Sequence, residues 1–245
     1  MHIRLVTTGL LLFFYVTVKA QPKHAHTNMI WVNYNNTLVL NNKWSWTNDF
    51  QMRTREWLQQ WWQLAVRTGV QRTINKNWSV SAGFAWFKNV RYYNDEAVFP
   101  KEWRPWVDAA FQFQPNKINI LQRLRFEERF LQKVVGDKKL PAYELRERLR
   151  YRLEFTFPKI GKRIEIHAGD EIMVNLNHIN DSLFFDQNRI ILLANFRVNS
   201  SSFFQFQYLK NFQLLARNYT LENQDIFRFS FHQQIKLAAS KKSEK

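Results

Sequence analysis

The residues with the most evident chemistry are arginines placed at every second position. Arg146, Arg148, Arg150 and Arg152 alternate with Leu145, Leu149, Tyr151 and Leu153, and Glu144 and Glu154 extend the charged row; Glu147 is the one break in the apolar one. Arg123, Arg125 and Arg129 form a similar row around Glu127. An extended chain turns successive side chains to opposite faces, so each set is one charged stripe backed by one apolar stripe. A guanidinium row either pairs internally with carboxylates or presents forked donors to an oxoanion.

Other candidate chemistry is sparser. Glu171 with His167 or His178 has the types needed for acid–base work, although Glu171 is also placed to pair with Arg189 across a hairpin. Ser230 and His232 share a face, with no third partner evident. His24 and His26 lie in a polar stretch and read as solvated. The chain has no cysteine, no histidine pair at metal spacing and no glycine-rich phosphate loop. No cofactor or metal is therefore expected.

The elements that must position these residues are strands. Period-two alternation marks 43–53, 60–71, 78–86, 107–114, 118–130, 143–157, 164–175, 188–198, 202–212 and 225–236, with a poorer example at 30–40. Short connections rich in Asn, Gly, Pro and Ser fall at 41–42, 73–77, 115–117, 158–163 and 199–201. Longer ones fall at 54–59, 88–105, 131–142, 176–187 and 213–224. Strands of ten or more residues joined by alternating short and long hairpins are the pattern of an up-and-down transmembrane barrel. Trp44 and Trp78 follow short turns, while Trp61, Trp62, Trp86 and Trp106 lie near long ones, as two interfacial girdles require. The eleven segments conflict with closure, since an all-antiparallel barrel needs an even number and an odd count starts the first strand on the outer side. Ten or twelve strands are the expectation.

The N-terminus reads as a cleaved export signal over 1–20, with an apolar run after Arg4 and a small-x-Ala site at Val18-Lys19-Ala20. Residues 21–237 would be the barrel and 238–245 a basic tail. The formal charge is +16, and removing Arg4 and Lys19 with the signal leaves +14. Such a balance predicts contact with anions, and export argues against nucleic acid.

One further set of residues, in order, is Trp44-Ser45-Trp46, then Gln51-Met52-Arg53, the Arg123–Arg129 run, Arg146-Glu147-Arg148-Leu149-Arg150-Tyr151, Asp170-Glu171-Ile172-Met173-Val174-Asn175 and Phe185-Asp186-Gln187-Asn188-Arg189. This series resembles the family filed as domain of unknown function 2490, over nearly all the mature chain. The resemblance implies an outer-membrane barrel of Gram-negative bacteria, with no assigned substrate or reaction. The chain departs from many outer-membrane proteins in continuing for fourteen residues past Phe231.

With the apolar faces toward lipid, Arg53, Arg67, Arg123, Arg125, Arg129, Arg146, Arg148, Arg150, Arg152, Arg189 and Arg197 are expected to line the lumen. Asp49, Glu127, Glu144, Glu154, Glu165 and Glu171 would face them. The expected fold class is all-β, an antiparallel barrel of about 10–12 strands in contact with outer-membrane lipid and lipopolysaccharide. The expected role is structural or that of a small channel for an anionic solute. An outer-membrane enzyme acting on lipid or envelope polymer, and a soluble periplasmic binding barrel with its faces reversed, are the competing readings.

Overall fold

The structure, a computed structural model, describes residues 23–94, 96–177, 184–215 and 220–237. The expected signal segment, His178 and the basic tail lie outside these residues. Among these described residues there are thirteen strands: β1 (Lys23–Val39), β2 (Trp44–Arg55), β3 (Gln60–Thr73), β4 (Trp78–Asn89), β5 (Arg91–Tyr93), β6 (Glu96–Val98), β7 (Lys101–Phe113), β8 (Asn119–Val135), β9 (Lys138–Thr156), β10 (Ile164–Asn175), β11 (Phe185–Arg197), β12 (Ser202–Leu215) and β13 (Thr220–Lys236). Strands β5 and β6 form a small separate hairpin between β4 and β7. The other eleven close into one barrel.

The count of eleven therefore stands within the expected 10–12, and what is corrected is the assumption that the barrel closes only with an even number, ten or twelve. Ten successive hairpin reversals leave the first and last strands running the same way, so an odd barrel must close through one parallel pair. Strand β1 pairs in parallel with β13 from Lys23↔Thr220 to Val39↔Lys236, and antiparallel with β2. The segment at 30–40, poor in alternation, is thus a full wall strand, and it begins at the same end as β13. Odd-numbered membrane barrels are rarer than even ones but do occur.

Turn chemistry fixes the short-connection end. Asn41 Oδ1 accepts from the backbone N–H of Lys43 (2.9 Å) and Trp44 (3.0 Å). Asn75 Oδ1 does the same for Asn77 and Trp78, both at 2.9 Å, and Asn199 Oδ1 accepts from Ser201 at 2.8 Å. These side chains imitate a backbone turn, which is why Asn recurs there. At the opposite end two expected loops are shorter than the sequence indicated. Strands β8 and β9 run on to a two-residue turn, Gly136-Asp137, with Gly136 at φ 60°. The stretch 88–105 holds the β5–β6 hairpin and the start of β7.

The apolar stripes face outward. Trp46, Phe50, Val66, Val70, Val107, Leu124, Leu192, Phe206 and Phe229 are all more than two-fifths exposed. Burying such a side chain fully is worth about 1.5–3 kcal/mol. Left in water, a dozen half-exposed ones forgo on the order of 10 kcal/mol, comparable with the whole stability of a typical domain. A bilayer covering this belt removes that cost.

The interior is mixed rather than uniformly polar. Met29, Trp31, Ile191, Leu193, Leu209 and Ile226 form a buried cluster on the β1, β11, β12 and β13 walls, and Trp62 packs against it. Two expected girdle residues are thereby corrected: Trp62 turns onto Trp31, with ring centroids 6.3 Å apart, and Trp106 is buried inside. Trp106 occupies space left by two glycines. A Cβ at Gly69 would sit 2.6 Å from its ring, and one at Gly83 would sit 2.4 Å from the ring and 2.3 Å from the Thr68 carbonyl.

Candidate functional site

The barrel encloses a chamber of about 390 Å³. Eleven arginines reach its surface, against two carboxylates, Asp49 and Glu171. Nine of these arginines are among those picked out by alternation: Arg53, Arg67, Arg123, Arg125, Arg129, Arg148, Arg150, Arg152 and Arg189. The other two, Arg104 and Arg228, came from β7 and β13. The stretch holding Arg104 lacks visible alternation, because Pro100, Trp103 and Pro105 interrupt it. Arg228 lay in plain view on the polar face of its strand.

One wall, built by β7 to β11, is a ladder of ion pairs, with one further pair on β2 and β3. Glu127, buried, binds Arg148 Nη2 at 2.5 Å and Arg150 Nη1 at 2.6 Å, with Arg104 at 3.4 Å. Glu171, also buried, takes Arg150 at 2.8 Å, Arg123 at 2.9 Å and Arg189 at 3.7 Å. Glu102 holds Arg104 (2.5 Å) and Arg129 (2.8 Å). Asp108 holds Arg125 at 2.5 Å, Asp186 holds Arg148 at 3.0 Å, and Asp49 holds Arg67 at 2.8 Å. Glu154 pairs with Arg152 and with His167. Seven carboxylates thus pair with nine of the eleven chamber arginines, and the eleven exceed the seven by four positive charges.

The register makes this wall costly. On β8 and β9, Arg123 stands directly opposite Arg152, Arg125 opposite Arg150, and Arg129 opposite Arg146. Like charges directly opposed destabilise a sheet. The ladder survives because Glu102, Glu127 and Glu171 reach in from neighbouring positions to separate them.

The wall at the parallel seam is different. Trp31 on β1 is the direct cross-strand partner of Arg53 on β2 and of Arg228 on β13. Arg53 lies 4.0 Å from the Trp31 ring and donates to Gln51 (3.0 Å) and Gln63 (2.5 Å). Arg228 donates to Ser230 at 3.3 Å and, with the Asn33 amide oxygen turned toward it, to Asn33 at 3.2 Å. Among the described residues neither arginine has a carboxylate at ion-pair distance.

The remaining sequence-selected residues fall elsewhere. Arg146 and Glu144 pair at 2.7 Å, each about a third exposed, beside the long-connection end. Arg197 is exposed at the last position of β11, by the short turns, and does not reach the chamber. Glu165 bonds His167 at 3.0 Å and not an arginine. Carboxylates missed in the sequence are Glu102, Asp108 and Asp186. The acid–base candidates have other partners: His167 bonds Glu154 (2.9 Å) and Glu165, not Glu171. His232 stacks on Phe203 with centroids 4.3 Å apart and meets Asn35 at 3.3 Å, while Ser230 meets Arg228.

A closed, inside-out barrel with an arginine-rich interior defines a porin-like β-barrel protein. The chain belongs to the family described as Protein of unknown function (DUF2490), whose profile matches residues 28–221. Among solved structures it is similar to a NanC porin in a rhombohedral crystal form, with a TM-score of 0.50 and 11% identity over 84% of this chain and 99% of that one. At that identity the likeness is one of fold. No curated protein matches.

Proposed function

We propose that this protein is an outer-membrane barrel whose chamber admits small anions, acting as an anion-selective channel. The observation that carries the reading is the chamber surface itself, with eleven arginines against two carboxylates. A surplus of one sign in a low-dielectric enclosure concentrates the opposite ion. Buried like-charge arginine pairs cost stability, so a purely structural interior would be better served by apolar or fully neutralised contacts. Export by a cleaved N-terminal signal and contact of the apolar belt with membrane lipid and lipopolysaccharide complete the proposal. The test is the reversal potential of purified barrels in planar bilayers under a salt gradient. Anion preference is expected; cation preference, or the absence of discrete conductance, would contradict it. The enzyme reading has less support, since Glu171, His167 and His232 are each engaged away from one another.

A further inference from the structure

We infer that the seam holds a discrete oxoanion site, formed by Arg53, Trp31 and Arg228, and that this site rather than the ladder selects the solute. The inference rests on the anion reading above and narrows it to a carboxylate or phosphate group recognised at one place.

Three observations converge on these residues. First, they form a single transverse row, because Trp31 is in register with Arg53 on one side and Arg228 on the other. All three reach the chamber. Second, neither Arg53 nor Arg228 has a carboxylate at ion-pair distance among the described residues, and Asp49 acts on Arg228 only from farther away. The other nine chamber arginines each have a carboxylate partner. Arg53 and Arg228 have only neutral ones. The charged groups that act most strongly on Arg53 are further arginines, including Arg67 and Arg189. Third, the row has unused hydrogen-bond capacity. The indole N–H of Trp31, a residue only 2% exposed, has no hydrogen-bond partner among the described residues. A buried donor left unmade is costly, and buried polar groups are ordinarily satisfied. An oxoanion supplies what the row lacks, namely negative charge for two guanidiniums and an acceptor for the indole. Arg53 is also held in place by stacking on Trp31 and by Gln51 and Gln63, so its position does not depend on a bound anion.

The ladder offers a weaker site. Its carboxylates lie against the guanidiniums and take most of their donors, leaving only single Nε–H groups such as those of Arg123, Arg150 and Arg152, and an incoming anion would have to displace them or bear their repulsion.

The test is titration calorimetry of inorganic phosphate, and separately acetate, into the detergent-purified full-length barrel. Saturable binding of at least one is expected. Arg53→Gln and Arg228→Gln should each weaken it tenfold or more, Trp31→Phe a few-fold, and the ladder variant Arg129→Gln no more than about threefold. Heat-modifiable gel mobility verifies folding of each variant, and Arg53→Lys, which keeps the charge but loses the fork, should bind at an intermediate level. Absence of saturable binding, or equal weakening by Arg129→Gln, would overturn the site. If the wild-type barrel is anion-selective in bilayers but Arg53→Gln and Arg228→Gln bind as wild type does, the seam site fails and the anion channel stands. If the barrel shows no anion selectivity, the channel reading itself fails.

Discussion

Arg123 on β8 and Arg152 on β9 are direct cross-strand partners whose side chains both face the chamber. Each is held by a different carboxylate, Glu171 for Arg123 and Glu154 for Arg152, and each leaves its Nε–H without a partner. The pair shows how this interior is organised: guanidiniums are forced together by the strand register, and a smaller set of acids keeps them in place.

Removal of one acid should therefore be more harmful than removal of an unpaired arginine. Glu127→Gln strips a buried carboxylate from Arg148, Arg150 and Arg104. Breaking buried pairs in this way costs about 3–5 kcal/mol. Arg53→Gln removes a cation with no acidic partner and should be neutral or stabilising. Denaturant unfolding in detergent checks both signs.

The outward belt makes a separate prediction. Leu192 is half-exposed on the outer wall. Leu192→Arg should destabilise the barrel in lipid by about 2–4 kcal/mol, the range found for arginine at the bilayer midplane. Asn195→Arg, on the inner face of the same strand, should cost far less. Equal and small effects would favour a soluble barrel.

Gly83 is predicted to tolerate no side chain. A Cβ there would meet both the Thr68 carbonyl and the Trp106 ring. Gly83→Ala should lower stability by about 1–3 kcal/mol, as overpacking does. Gly161, where a Cβ meets nothing, serves as the sterically open comparison, although its φ of 63° makes a substitution strained.

The parallel seam can be tested because the chain has no cysteine. Asn35 and His232 are in register across β1 and β13 and their side chains meet at 3.3 Å. Asn35→Cys with His232→Cys should form a disulfide on oxidation, visible as faster migration of the denatured chain. A pair displaced along the seam, Asn35→Cys with Arg228→Cys, should not.

Much of this architecture was legible in the sequence, for a physical reason. Alternation is a local property, so β9 and its arginine row could be read residue by residue. Parity also carried information that position along the chain obscured: Trp106 shares its parity with Asp108 and Gln112, which marks it as inward despite its place near a long connection. What alternation cannot encode is pairing between distant strands. The β1–β13 seam joins residues about 200 apart in sequence, as with Asn35 and His232, and with it the row of Arg53, Trp31 and Arg228. Glu102 and Arg104 were hidden by a stretch with two prolines, where the period is broken before the strand resumes.

The most direct test of the central claim is the reversal potential of single barrels in a planar bilayer under a tenfold potassium chloride gradient. The account predicts a sign corresponding to chloride carrying most of the current, and a shift toward zero in a variant combining Arg53→Gln with Arg228→Gln. A reversal potential of the cation-selective sign in the wild-type barrel would contradict it.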